Sequence, residues 1–371
     1  MGERVLVTGG AGFIGRAVAT ELIDRGNRVR ILDSLIEQVH GDRDRPDDLP
    51  DEAELIVGDI RNKDVVVRAL QDMDSVVHLA AEVGVGQSMY AVERYTSVNE
   101  TGSAVLFETL IDNPVRRVVT ASSMSIYGEG LYEDADGELV ENAERKPRTS
   151  SAQSWDPTDS RGRPLTPVAT PEWKPPSLAS IYALGKYVQE RQTLIMTQAY
   201  DMEGACLRLF NVYGPGQALS NPYTGVLAIF SSRLLNGQRP MIFEDGEQRR
   251  DFVHVGDVAR AFAEALMHPG ASGEVLNIGS GVDRSVKQVA RSIAQALNRN
   301  DLEPAITGKA RIGDIRHCFC NGSKAASVLG FQATKDFNEG LAELAEWVER
   351  QTADDRVDEA RAELEAKGLV A

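Results

Sequence analysis

Val5-Leu6-Val7-Thr8-Gly9-Gly10-Ala11-Gly12-Phe13-Ile14-Gly15 is the stretch on which the reading of this chain turns. Val5 to Val7 is an apolar run of the kind that forms a buried strand. Gly9, Gly12 and Gly15 follow at intervals of three. Ala17, Val18, Leu22 and Ile23 then repeat with helical period. Val29-Arg30-Ile31-Leu32 is a second apolar run, and it ends at Asp33. Strand, glycine turn, helix, strand, acid is the order of a dinucleotide-binding βαβ unit. Gly9 permits the sharp turn, Gly12 lets backbone approach a pyrophosphate, and Gly15 lets helix and strand pack closely. The helix start offers free N–H groups to the phosphates. Asp33 lies eighteen residues past Gly15, near the spacing of an acid that holds the adenosine ribose. A carboxylate there repels a 2′-phosphate, which favours NAD over NADP. The candidate cofactor contacts in this unit are Gly9, Gly12, Phe13, Ile14, Gly15, Asp33 and Ser34.

The 371 residues suffice for one large α/β domain and a smaller lobe. Net charge is −16, which argues against nucleic acid as a partner. Anionic substrates must then be held by a few local arginines. The apolar strand begins at residue 4, leaving no room for a secretory signal, and no apolar run is long enough to span a membrane. Cys206, Cys318 and Cys320 are the only cysteines. Cys318-Phe319-Cys320 is too tight for the usual zinc spacing, so no metal is expected and a cytoplasmic enzyme with free thiols is.

Further along, Glu54–Ile60 predicts a third strand ending at Asp59, an acid near the adenine, with Ile60 beside it. Lys63–Met73 predicts a helix. Asp74–Leu79 predicts a fourth strand running into Ala80-Ala81, small residues suited to a ligand crevice. A helix over Met89–Asp112 and a fifth strand over Arg116–Ser123 continue the alternation. The fold class is therefore α/β, a doubly wound parallel Rossmann sheet with a smaller C-terminal α/β lobe that binds substrate. Residues 128–177 hold seven of the fifteen prolines, so they read as an insertion or lid over the site, left by an extended Glu172–Pro176. Residues 1–200 form the NAD-binding domain on this reading. Residues 201–350 are mainly the substrate lobe, with segments returning to the first domain. Residues 351–371 are a charged helical tail, solvated or frayed, with no function assigned.

Tyr182-Ala183-Leu184-Gly185-Lys186 lies on a helix predicted over Leu178–Tyr200. Residues i and i+4 share a face, so phenol and ammonium can enter one site. A tyrosine base near neutral pH needs its pKa lowered by about three units, roughly 4 kcal/mol. One cation at about 6 Å, at an effective dielectric near 20, supplies roughly 3 kcal/mol. Lys186 together with an oxidised nicotinamide covers the shift. Ser123, at the carboxyl end of strand five, can hydrogen-bond the same substrate oxygen. Ser122 reads as a turn hydroxyl capping the strand end.

With these residues in view, the chain resembles the extended short-chain dehydrogenases, and among them the NAD-dependent nucleotide-sugar epimerases and dehydratases. Gly9, Gly12, Gly15, Asp33, Asp59, Ser123, Tyr182 and Lys186 fall on that family's motif positions. So do Arg208–Pro215, Arg250–Val255 and Arg311–Asp314. The resemblance implies that Ser123, Tyr182 and Lys186 are catalytic. Tyr182 and Lys186 also touch NAD, as do Asp59, Ile60, Leu79, Ala80 and Ala81. It implies that Ser123, Asn211, Arg250 and Arg311 hold a nucleotide-diphosphate sugar linked to dTDP or UDP. In that family 4,6-dehydratases carry Asp and Glu after the serine; Met124 and Ser125 stand here, which leaves 4-epimerisation. Where UDP-galactose 4-epimerases have a lysine against the nicotinamide ribose, Val83 stands here. Residues 82–90, Gln38–Gly41, the insertion and Ser220–Val226 look like the branch containing dTDP-L-rhamnose 4-epimerase. The family is dimeric through a four-helix bundle, for which Met89–Asp112 and Leu178–Tyr200 are the candidates. A dehydratase, a ketoreductase and a non-catalytic NAD-binding regulator stay open as alternatives.

Overall fold

In the computed structural model, residues 2–41, 45–46, 48–145, 154–221, 223, 225–311, 313–351 and 355–370 are described. Seven parallel strands make the main sheet: β1 (Arg4–Thr8), β2 (Arg28–Asp33), β3 (Glu54–Val57), β4 (Ser75–His78), β5 (Arg117–Ser123), β6 (Glu203–Leu209) and β7 (Val275–Ile278). Their order is β7-β6-β5-β4-β1-β2-β3. Val5 pairs with Val29 on one side and Ser75 on the other. The strand order therefore reverses at β1, and the carboxyl ends of β1 and β4 flank the crevice where open α/β sheets bind ligands. Val5, Leu6 and Val7 are fully buried, because helices cover both faces.

On one face, helices α1 (Phe13–Asp24) and a later one over Val255–Met267 bury Val18, Leu22, Phe262 and Leu266 with β1, β5 and β6. On the other, helix α2 (Lys63–Leu70) and Gly102–Asp112 bury Val66, Leu106 and Leu110. β6 and β7 come from the C-terminal half of the chain and complete the sheet. A second core joins Phe230, Ile293, Leu341 and Leu344. Its small sheet pairs Asn211–Tyr213 with Arg249–His254, which in turn pairs with Asp283–Ser285 and His317–Cys318.

Several local readings are corrected. The helix placed over Met89–Asp112 starts at Val92 and is interrupted by a π-helical turn, Ser97–Thr101. That turn carries the buried Asn99, whose amide accepts from Glu82 N at 2.7 Å and donates to Glu82 O at 3.1 Å. Wide turns of this kind commonly serve a site rather than the helix. Glu172–Lys174 is a turn rather than an extended exit, because Lys174 folds inward and its Nζ donates to Tyr127 O at 2.5 Å.

Of the described residues in 128–177, none lines the cleft considered below. Leu131–Glu133, Leu139–Val140 and Thr166–Val168 form their own antiparallel sheet. Glu172 accepts from Asn277 N at 2.7 Å, which pins the segment to the end of β7. Arg145 donates to the carbonyl of Asp314, which is on the cleft wall, and 146–153, the middle of the expected cover, lie outside the described residues. The tail is corrected too. Its helix, Val357–Ala366, buries Ala360 and Leu364 against the protein instead of standing in solvent. The two apolar residues are spaced i,i+4 and hidden among charges, too weak a stripe to read as a packed face.

Candidate active site

A cleft of about 660 Å³ runs from the glycine turn, past the end of β5, into the C-terminal lobe. Each site residue named from the sequence has a place on its wall. At one end Gly9 takes φ +68°, a backbone that favours glycine. A Cβ on Gly15 would sit 2.4 Å from Gly9 O, so α1 packs directly on the turn. A Cβ on Gly12 would meet only Gly9 O, at 3.3 Å, which leaves its cleft side open. No side chain caps the start of α1, so its first N–H groups remain for a ligand. Asp33 is buried and fixed: it accepts from Ala11 N at 3.0 Å and Leu35 N at 2.9 Å. His40 Nε2 lies 3.6 Å from it. Asp59 is held by Arg61 through two nitrogens, which keeps its carboxyl below the usual range.

At the middle of the cleft, β5 delivers Ser123 and helix α3 (Ile181–Ala199) delivers Tyr182 and Lys186. Ser180 caps α3 by accepting from Ala183 N, which fixes where the helix starts. Ser123 Oγ accepts from both N and Oγ of Ser125, at 3.2 and 2.9 Å. Its own proton is thereby left to donate elsewhere. Burial raises the Tyr182 phenol above its ordinary value, and a hydrogen bond with Ser123 draws it partway back. Burial also lowers Lys186 to about 7. Burial thus disfavours the ammonium form of Lys186, so less of the phenol's shift falls to it than a full cation would supply.

Three residues around this centre escaped the sequence reading. Gln189 accepts from Lys186 Nζ at 2.5 Å and donates to Ala80 O and Ser103 Oγ. It sits one turn past the lysine, and that spacing is its only signal. His78 is buried between Thr8 Oγ1 at 2.7 Å and Ser103 Oγ at 2.8 Å, and burial lowers it to about 3. Glu190 pairs with Arg208 at 2.7 Å behind the site. Ser122 donates to that Glu190 at 2.7 Å, so it serves the buried pair rather than capping the strand.

At the far end, Asn211 Oδ1 is buried without a hydrogen-bond partner, although the residue lines the cleft. A buried unpaired acceptor is costly unless a ligand meets it. Arg250 donates to the carbonyls of Arg249, Ile315 and Arg316, and so ties together the loop it belongs beside. Arg311 pairs with Asp314 at 2.9 Å and lies 4.6 Å over the Phe243 ring. Val83 is half exposed on the cleft wall.

Residues 5–154 and 158–279 match the family model for the NAD dependent epimerase/dehydratase family. The chain belongs to that family. It is 34% identical to dTDP-L-rhamnose 4-epimerase of Burkholderia thailandensis, over 94% of this chain and 96% of that one. The fold is similar to the UDP-glucose 4-epimerase of Thermus thermophilus in complex with NAD, with TM-score 0.74 and 28% identity, covering 94% of this chain and all of the other. It is similar as well to UDP-glucose 4-epimerase of Thermotoga maritima with UDP-glucose, with TM-score 0.76 and 29% identity, covering 94% and 99%. As a member of the NAD dependent epimerase/dehydratase family the chain is an enzyme whose cofactor is NAD. The open side of Gly12, the uncapped start of α1 and the fixed Asp33 carboxylate fit that cofactor.

Proposed function

We propose that this enzyme is a nucleotide-sugar 4-epimerase acting on a dTDP-linked 6-deoxyhexose, interconverting dTDP-L-rhamnose and its C4 epimer, dTDP-6-deoxy-L-talose. The observation that carries this reading is the middle of the cleft. Ser123, Tyr182 and Lys186 share its wall with Met124 and Ser125, and none of the five is a carboxylate. Tyr182, as phenolate, takes the proton of the sugar 4-hydroxyl and later returns it. NAD, when bound at the glycine turn and Asp33, would supply the hydride chemistry at C4. Ser123 donates its free proton toward the same sugar oxygen. Lys186, oriented by Gln189, offsets part of the cost of an anionic phenol in a buried site. Asn211, Arg250 and Arg311 hold the diphosphate while the 4-keto sugar turns over and presents its other face.

The likeness to a dTDP-L-rhamnose 4-epimerase supports the choice of sugar nucleotide, and Val83 in place of a lysine sets the cofactor end apart from UDP-galactose enzymes. A dehydratase would need an acid and a base to remove the 6-hydroxyl, and Met124 and Ser125 supply neither. We further propose a cytoplasmic homodimer. The three cysteines are free and buried, as suits a reducing compartment. Among the described residues no helix is long and apolar enough to cross a membrane.

The test is incubation of the purified protein with dTDP- and UDP-hexoses, without added cofactor, followed by proton NMR. A C4 epimer of dTDP-L-rhamnose supports the proposal. A 4-keto-6-deoxy product from a dTDP-hexose, or no turnover of any sugar, overturns it.

A further inference from the structure

The C-terminal helix Val357–Ala366 supplies part of the cleft wall through Val357, Ala360, Arg361 and Leu364. It is fastened at several points. Glu363 Oε2 accepts from the hydroxyls of Tyr90 and Tyr223, at 2.9 and 3.0 Å. Arg233 pairs with Asp355 and Asp358, both at 3.3 Å, and Lys309 with Glu365 at 2.9 Å. Val370 bridges to Arg311 itself. So the tail is tied to one of the two arginines proposed to hold the diphosphate.

On the cleft side of this helix stands Arg361. Its Nε is buried and has no hydrogen-bond partner. Its Nη1 faces the thioether of Met241 at 3.4 Å, a weak acceptor. Among the described residues it forms long ion pairs with Asp358, through Nη2 at 3.6 Å, and with Glu365, through Nε at 3.9 Å; both acids are on its own helix and both are also paired elsewhere. Met241 lies two residues from Phe243, over which Arg311 is stacked. The guanidinium is about one-third exposed, and its buried Nε is a donor left without a hydrogen-bond acceptor on the wall of the cleft.

We propose that Arg361 is a substrate-binding residue, donated by the C-terminal helix to the nucleoside diphosphate beside Arg311. The inference rests on the nucleotide-sugar reading of the cleft and goes beyond it. It gives the tail a part in the site. The helix brings a third cation to a chain whose overall charge is −16, where a dianionic diphosphate finds no general attraction.

Arg361→Gln and Arg361→Lys in the full-length protein test it, by calorimetric titration with dTDP and with UDP. Bound NAD and melting temperature, measured on the same samples, report folding. Arg361→Gln weakens the binding of at least one diphosphate by about tenfold or more, the worth of a charge-assisted hydrogen bond, with bound NAD unchanged. Arg361→Lys keeps a cation and loses less. Binding by Arg361→Gln within twofold of wild type overturns the inference, and so does Arg361→Lys as weak as Arg361→Gln. Failure of the wild type to bind either diphosphate sinks the nucleotide-sugar reading instead, and is told apart by that control.

Discussion

Tyr182 and Lys186 are one turn apart on α3, and burial pushes them in opposite directions, phenol up and ammonium down. Both shifts oppose the charged forms that the proposed chemistry uses, and near neutral pH the lysine's shift is the one that costs stability, since the phenol is neutral folded and unfolded alike. Tyr182→Phe should lower kcat by about 10²- to 10⁴-fold, the usual share of a positioned acid–base group, while bound NAD stays near wild type by absorbance. Lys186 has the opposite signature in folding. Its folded pKa, near 7, lies below the unfolded 10.5, so the unfolded chain binds the extra proton more readily. The penalty is fully present below pH 7, roughly 5 kcal/mol at about 1.4 kcal/mol per unit, and fades as pH rises toward 10.5. Lys186→Met should therefore stabilise the protein by roughly 2–3 kcal/mol at pH 6, after loss of the Gln189 hydrogen bond, and give no stabilisation at pH 10. Melting curves at the two pH values decide it. The pair was legible in the sequence because its spacing is local. Gln189 and His78 were not, because what they do depends on contacts between α3 and β4 that no local pattern encodes.

At the scale of elements, the opening βαβ unit could be read nearly to the residue: glycines, apolar runs and an acid each mark their own position. Strand and helix bounds elsewhere moved by a few residues, and the departures have causes. The π-helical turn at Ser97–Thr101 exists to aim Asn99 at the loop after β4, a tertiary demand that overrides helical period. Asn99→Ala removes both Glu82 hydrogen bonds and should lower stability by about 1–3 kcal/mol in chemical denaturation, with weaker retention of NAD on dilution. The insertion is harder to read for another reason: its prolines and charges announce irregular backbone but not where it docks, and the contacts of Glu172 with Asn277 and of Lys174 with Tyr127 join elements far apart in sequence. The tail misled because Ala360 and Leu364 alone mark its buried face.

For the whole molecule, the sheet order brings the cofactor turn and the proposed catalytic centre together at the carboxyl ends of the central strands β1, β4 and β5, and residues of the C-terminal lobe supply the rest of the cleft wall. Leu184 and Ile195 on α3, with Val92 and Ile111 on the preceding helical segments, are exposed apolar residues. The proposed homodimer would cover them. Ile195→Glu should then shift sedimentation from dimer to monomer at micromolar concentration, whereas a wild type that is monomeric under the same conditions would remove the dimer from the account. The central claim is that hydrogen leaves one sugar carbon and returns to it. It is tested most directly by NMR of the product formed from dTDP-L-rhamnose deuterated at C4. The account predicts an inverted C4 that keeps its deuterium, with no hydrogen taken from solvent. Deuterium lost to solvent, or moved to another carbon, would contradict it.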